Sequence, residues 1–239
     1  MQSLSVVIPA YNEEHRLPGT LDRVLAWLDT QPLEFREIIV VNDGSADGTA
    51  ALVESRAQER PCLRLLNNPG NRGKGYSVRH GMLEARGEWL LFSDADLSTP
   101  IADVTRLYEA AVAAKAEIAI GSRAVDRSLV AKHQSAFREV SGRFFNLVMR
   151  SVTGLPFRDT QCGFKLYSTR AAREVFSRQQ LNGFSFDVED LYIARRLGIA
   201  TVEVPVRWAN VEGTKVSALT GLQSFVDLAR IKRHRESHL

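Results

Sequence analysis

The sequence predicts an α/β protein: a mainly parallel sheet with helices on both faces. Two observations lead there. Short β-branched runs alternate with segments of helical spacing, the pattern of consecutive strand–helix–strand units. Four of those runs also deliver polar residues at their C-terminal ends, the rim outside which such sheets bind ligands.

The elements follow in order. Residues 4–8, 37–41, 63–66, 89–93 and 117–120 read as strands. Between the first two, Leu17, Leu21, Val24, Leu25 and Leu28 recur at helical spacing. Asp47 is placed to cap a second helix running through Ala50, Leu52 and Val53. Val78, Met82 and Ala85 mark a third helix, and Leu107, Ala111 and Ala114 a fourth. The second half is less regular. Residues 135–152 read as an amphipathic helix, with Phe137, Phe144, Phe145, Leu147, Val148 and Met149 set among arginines. Further helices are expected from Thr169 and from Phe186-Asp187-Val188-Glu189-Asp190. Residues 201–206 read as a late strand, which Pro205 assigns to an edge or a strand end.

A chain of 239 residues is long enough for one large domain, or for two small ones. Its 44% hydrophobic and 25% charged residues are ordinary for a soluble globular protein. No apolar stretch is long enough to predict a spanning helix, and the first strand begins without a basic-then-apolar leader, so export is not expected. Cys62 and Cys162 match no metal motif and read as reduced thiols in the cytoplasm. His15, His80, His133, His234 and His238 also lack ligand spacing. A net charge of +3 is too small to point to nucleic acid. Its distribution matters more: Arg138, Arg143, Arg150 and Arg158 punctuate one segment, and Arg230, Lys232, Arg233 and Arg235 crowd another.

The chemistry-bearing feature is Asp94-Ala95-Asp96, which follows the apolar run Trp89-Leu90-Leu91-Phe92-Ser93. Residues i and i+2 of a strand share a face, so the two acids can aim into one crevice if strand geometry lasts that far. Two carboxylates so close repel each other unless a positive charge sits beside them. A hard divalent cation is the natural partner, and Mg²⁺ usually binds one or two carboxylates together with substrate phosphates. The other strand ends add Pro9-Ala10-Tyr11-Asn12-Glu13, Asn42-Asp43-Gly44-Ser45 and Gly121-Ser122-Arg123.

Taken with Gly73-Lys74-Gly75, these blocks resemble the large family 2 of inverting GT-A (Rossmann-like) glycosyltransferases. The later blocks, Gly121-Ser122-Arg123, Asp159 to Lys165, Phe186 to Glu189 and Gly213-Thr214-Lys215, resemble its dolichyl-phosphate glucosyltransferase branch, near the dolichyl-phosphate mannose synthases. The resemblance implies a catalytic domain over residues 1–215 and a helical basic tail over 216–239. It implies a hexose donor, UDP-glucose or alternatively GDP-mannose, and a polyprenyl phosphate acceptor at the cytoplasmic face of a membrane. By the same resemblance Pro9, Ala10, Tyr11, Glu13, Asn42, Asp43, Lys74, Asp94 and Lys215 would line the nucleotide-sugar pocket. Asp94 and Asp96 would hold Mg²⁺, or Mn²⁺ in its place. Arg123 would face the acceptor phosphate, and Arg138 and Lys165 also suit it as cations, though a solvated helix face is nearly as good a reading of Arg138 and Arg143. Two departures from the family stand out: Asn42 replaces the first of two aspartates, and Ser98 stands where mannose synthases often carry a metal-ligating glutamine.

The nucleophile decides whether a base is needed. A sugar hydroxyl must lose a proton to a carboxylate. A phosphate monoester, with a second pKa of about 6, is already ionised near neutrality. Asp187 and Glu189 therefore read as positioning acids beside Asp94, Asp96 and Arg123, while Asp190 reads as a helix-terminal structural acid. Trp208 reads as packing in preference to sugar stacking. For residues 135–152 an interfacial membrane helix and a core helix are both open. The alternatives are transfer to a saccharide or lipid hydroxyl, a nucleotidyltransferase, and a non-catalytic sugar-nucleotide-binding protein. A nucleotidyltransferase would carry a glycine-rich basic loop where Pro9-Ala10-Tyr11-Asn12-Glu13 stands.

Overall fold

The computed structural model describes residues 1–132, 149–211, 227 and 230–231. The chain runs β1 (Ser3–Ala10), α1 (Leu17–Asp29), β2 (Phe35–Asn42), α2 (Thr49–Glu59), β3 (Leu63–Asn67), α3 (Lys74–Glu84), β4 (Trp89–Ser93), α4 (Asp103–Ala113), β5 (Ile118–Ser122) and β6 (Val130–Lys132). It continues through β7 (Phe164–Ser168), α5 (Thr169–Phe176), α6 (Phe186–Arg196), β8 (Thr201–Pro205) and β9 (Trp208–Ala209).

Seven strands form one sheet in the order β3-β2-β1-β4-β7-β5-β8. Six run in one direction, and β7 runs against both of its neighbours. Successive residues of a strand face opposite sides, and the core divides accordingly. Val6, Ile8, Ile38, Val40 and Leu91 pack with α1 and α4 through Leu21, Val24, Leu28, Val104 and Leu107. Val7, Ile39, Val41, Leu90 and Phe92 pack on the other face with Val78, Met82, Val175, Phe176, Val188 and Leu191. Helices therefore cover both faces, as the alternating pattern requires. A second, two-stranded sheet pairs β6 with β9.

Most expected elements stand where the pattern put them, the expected strands ending within about two residues of the observed ones. Asp47 does bond the first turn of α2, accepting from the Thr49 N–H at 3.0 Å, although the N-cap position itself is Gly48. Pro205 closes β8, which is also an edge strand. Three strands went unread: β6, β7 and β9. The β7 run carries Lys165 at its second position and passes straight into a helix capped by the Ser168 hydroxyl, so neither apolar content nor a turn marks it.

Of the helix expected over 135–152, residues 149–152 are helical and the rest lie outside the described residues. The boundary at residue 215 lies outside them too. From the segment beyond it, Ile231 is buried in the second core and Arg230 pairs with Asp227. Among the described residues, no helix is long and apolar enough to cross a membrane.

Candidate active site

The site forms where β4 ends. Regular strand pairing stops at Ser93, so Asp94 and Asp96 stand in the turn beyond it and not on the strand. They still share a crevice. Asp94, Asp96 and Ser98 are partly exposed while Ala95, Leu97 and Thr99 are buried, so the period of two outlives the strand. The turn is fixed by named bonds. The Asp94 N–H donates to the Gly163 carbonyl at 3.0 Å, and the Leu97 N–H donates to the Asp94 carbonyl at 3.1 Å. The Thr20 hydroxyl reaches the Ala95 carbonyl at 2.7 Å, and the Ser98 N–H bonds Asp96 Oδ1 at 3.0 Å. Leu97 takes φ of 48°, a left-handed conformation uncommon for its type. Ser93, Asp94, Asp96, Ser98, Thr99, Gly163 and Trp208 line the crevice. A methyl on Gly163 would overlap the Asp94 carboxylate, so glycine keeps this wall open.

The residues present fit a divalent ion. Two hard carboxylates face one crevice, and the bare backbone at Gly163 leaves space beside them. Among the described residues no third acid, histidine or cysteine joins them.

Lys74 stands against this crevice at the start of α3. Its ammonium lies 2.7 Å from Asp94 Oδ1 and within 6 Å of the Phe92 and Phe184 ring centroids. Burial opposes its charge, but Asp94, Asp187 and Asp96 outweigh that effect and raise its pKa. The loop before it is tied to the end of β2. The Asp43 carboxylate accepts from the Asn68 amide at 2.8 Å, the Arg72 N–H at 2.9 Å and the Gly73 N–H at 2.8 Å. Asn42 bonds Asn67 at 2.8 Å and accepts from the Ser45 N–H at 3.1 Å. Asn42 and Asp43 thus shape the rim through the protein's own loop. At the end of β1, Pro9 is partly buried, Ala10 is buried and Tyr11 is 40% exposed. Glu13 forms a two-point pair with Arg16, both contacts at 2.7 Å.

Arg123 follows β5, and its fork is engaged: Nε and a terminal nitrogen meet Asp159 at 2.7 and 2.9 Å. Burial works against both charges, yet each partner overrides it, raising Arg123 and lowering Asp159. Glu203 of β8 holds the same loop by accepting from the Arg158 and Asp159 N–H groups. The Trp208 ring lies 5.5 Å from the Arg123 guanidinium and lines the crevice.

Lys165 departs from expectation. It is fully buried, donating to Asp187 and to the Cys162 carbonyl at 2.9 Å. An ammonium committed inside the protein is not a surface cation for an acceptor phosphate, and its placement serves the sheet and Asp187 instead. Asp187 is buried in turn, its carboxyl pushed up by burial against the pull of Lys165 and Lys74. Glu189 accepts from the Gln180 and Leu181 N–H groups at 3.1 and 2.8 Å, and burial raises it too. Asp190 sits inside α6 and not at its cap; both of its oxygens are buried without a hydrogen-bond partner among the described residues. Burial, then Glu189 and Asp187, push it well above the carboxylate range. Arg138, Arg143 and Lys215 lie outside the described residues.

Sequence reasoning did not place Gly163 or Trp208 on the wall of the crevice. Neither had a local signal: the pairing of β7 with β4 sets Gly163 against Asp94, and the pairing of β9 with β6 together with the Ala209 N–H bond to the Ser98 carbonyl at 3.0 Å brings Trp208 to the crevice.

The mainly parallel α/β sheet places an acidic crevice beyond the carboxyl end of β4, with a lysine against the acids, at the rim where such sheets bind ligands. Residues 5–176 match Glycosyl transferase family 2, and the chain belongs to that family. It is 39% identical to a Dictyostelium discoideum protein named dolichyl-phosphate beta-glucosyltransferase, over 96% of this chain and 73% of the relative. A Drosophila melanogaster protein of the same name is 41% identical over 95% and 72%. The human protein of that name is 37% identical over 90% and 70%. Among solved structures, mannosyl-3-phosphoglycerate synthase from Rubrobacter xylanophilus superposes with a TM-score of 0.72 at 17% identity, covering all of this chain and 76% of that one. Glucosyl-3-phosphoglycerate synthase from Mycobacterium tuberculosis, in complex with Mn²⁺, UDP-glucose and phosphoglyceric acid, gives 0.67 at 20% identity over 97% and 80%. The shared architecture is the GT-A fold.

Proposed function

We propose that this chain is an inverting hexosyltransferase that moves glucose from UDP-glucose onto a dolichyl-type polyprenyl phosphate at a membrane surface. The observation that carries the reading is the collinear 39–41% identity, along 95% or more of the chain, to relatives named dolichyl-phosphate beta-glucosyltransferase. The geometry supports it from an independent side. Both acids weighed as a general base are committed to the protein, Asp187 to Lys165 and Glu189 to the backbone of Gln180 and Leu181. A site in which neither of these acids is available as a base suits an acceptor that arrives ionised, as a phosphate monoester does.

In this reading Asp94 and Asp96 hold a divalent ion, Mg²⁺ or Mn²⁺, which supplies Lewis-acid stabilisation to the leaving nucleoside diphosphate. The Asp43 loop and the end of β1 bound the nucleotide. Lys74 adds a positive charge beside the crevice where the diphosphate would lie, and such charge matters most as the leaving group develops its own. In the same reading Arg123, whose fork is paired with Asp159 and which lies 5.5 Å from the Trp208 ring, would offer its remaining nitrogen to the acceptor phosphate. The acceptor oxygen attacks the anomeric carbon opposite the nucleotide and yields the β-linked product.

The test is direct. The protein is incubated with labelled UDP-glucose or GDP-mannose, Mg²⁺ or Mn²⁺, and dolichyl phosphate in vesicles, and lipid is then extracted. Label should enter the organic phase from UDP-glucose and in β linkage. Label staying aqueous with every donor would refute the assignment, and transfer to simple sugar alcohols would favour a hydroxyl acceptor.

A further inference from the structure

The crevice treats its two acids differently. Asp96 is held by the Ser98 N–H, and among the described residues no cation lies within ion-pair distance of it. Asp94 is occupied: the Lys74 ammonium sits 2.7 Å from Oδ1. This contact is built into the chain and is not a chance surface pair. Lys74 opens α3 directly after Gly73, whose φ of 100° suits glycine. The Gly73 N–H is anchored by Asp43 and the Gly75 N–H by the Asn182 carbonyl at 2.8 Å. The backbone is therefore fixed at both sides of Lys74, while its four-carbon stem keeps rotamer freedom. Only about a fifth of the side chain is exposed, and the ammonium lies over two aromatic rings.

We propose that Lys74 is a tethered competitor for the metal position. Its ammonium neutralises Asp94 in the free protein, and it transfers to the incoming diphosphate as a divalent ion takes that carboxylate. The inference rests on the metal-dependent reading above. An ammonium in contact with Asp94 and a divalent ion on the same carboxylate repel each other strongly at this range. The lysine must therefore swing away or weaken the ion's binding. A nucleoside diphosphate offers it a new partner of higher charge within reach of the same stem. Metal and nucleotide thus favour each other's binding, and by linkage the effect is reciprocal. The free protein is spared a tightly bound ion that lacks a donor.

The experiment is a titration of Mn²⁺ into the whole chain, followed by electron paramagnetic resonance, with and without UDP. Wild type, Lys74→Met and Lys74→Arg are compared, and UDP affinity is measured separately at saturating Mn²⁺. Without UDP, Lys74→Met should bind Mn²⁺ about tenfold or more tighter than wild type, the scale of one contact charge near a protein surface. Its gain in Mn²⁺ affinity on adding UDP should shrink, and its UDP affinity with Mn²⁺ present should fall. Lys74→Arg should keep the wild-type pattern. Unchanged or weaker Mn²⁺ binding by Lys74→Met would overturn the inference, as would an arginine variant that behaves like the methionine one. Unchanged UDP affinity would overturn the transfer to the diphosphate. If neither wild type nor Lys74→Met binds Mn²⁺ even with UDP, the metal reading itself fails, and the inference with it.

Discussion

Lys165 and Asp187 form an ion pair in the interior, one on the antiparallel strand β7 and the other in the first turn of α6. Lys165 is 0% exposed and also bonds the Cys162 carbonyl, so the pair ties α6 to the segment that ends in Gly163. Removing one partner leaves a buried charge uncompensated. Lys165→Met alone should destabilise the protein by about 3–5 kcal/mol, whereas Lys165→Met with Asp187→Leu should recover a large part of that loss. Urea unfolding of the single and double variants checks both, and a single variant as stable as the parent would disprove the pairing.

Asp94 and Asp96 face one crevice, and in the metal-dependent reading each supplies a carboxylate to the ion. Asp94→Asn and Asp96→Asn should each reduce turnover by about 100-fold or more, on the scale of losing a preorganised electrostatic group. Each should also weaken Mn²⁺ binding in the presence of UDP. Retained metal affinity in both variants would remove these acids from the metal site.

Gly163 has a narrower role, seen only in three dimensions. A methyl there would overlap the Asp94 carboxylate. Gly163→Ala should therefore lower Mn²⁺ affinity in the presence of UDP and slow turnover while costing little stability. Comparison of metal titrations with thermal unfolding separates the two effects.

Glu189 distinguishes acceptor chemistries. Its carboxylate holds two backbone N–H groups, and an amide keeps one acceptor oxygen for them. Glu189→Gln should cost about 1–2 kcal/mol of stability and keep turnover within about tenfold of wild type. A general base replaced by its amide would instead lose about 100- to 10,000-fold. Steady-state kinetics with dolichyl phosphate decides between the two.

Asp190 makes stability depend on pH with a definite sign. Its ordinary pKa is 3.8, and in the fold it lies well above that because of burial and the neighbouring acids. Between those two values the native state holds a proton that the unfolded chain has released, so stability from this group falls as pH rises. Asp190→Asn cannot ionise and escapes the loss. Its stability relative to wild type should therefore grow as pH rises above about 4, with a slope approaching about 1.4 kcal/mol per pH unit while only the native carboxyl stays protonated. Urea midpoints that move in parallel from about pH 4 to about pH 8 would contradict a neutral Asp190.

Much of the architecture was legible in the chain before any packing was seen: the two-faced sheet, most of its strands, and the rim at which polar groups gather. These are local properties. They rest on apolar runs of strand length, helical spacing of leucines, and the alternation that keeps Asp94, Asp96 and Ser98 on one side of their turn. Long-range packing was needed to insert β7 between β4 and β5 and to pair Ser93 with Phe164, which brings Gly163 against Asp94. It was needed too for Lys165 to point inward to Asp187 while Lys74 faces the acids, and for Trp208 to close the crevice beside Arg123. One cause underlies all of these. Whether a charged side chain is buried and paired, or free for a ligand, depends on partners tens of residues away, and no local pattern encodes that distance.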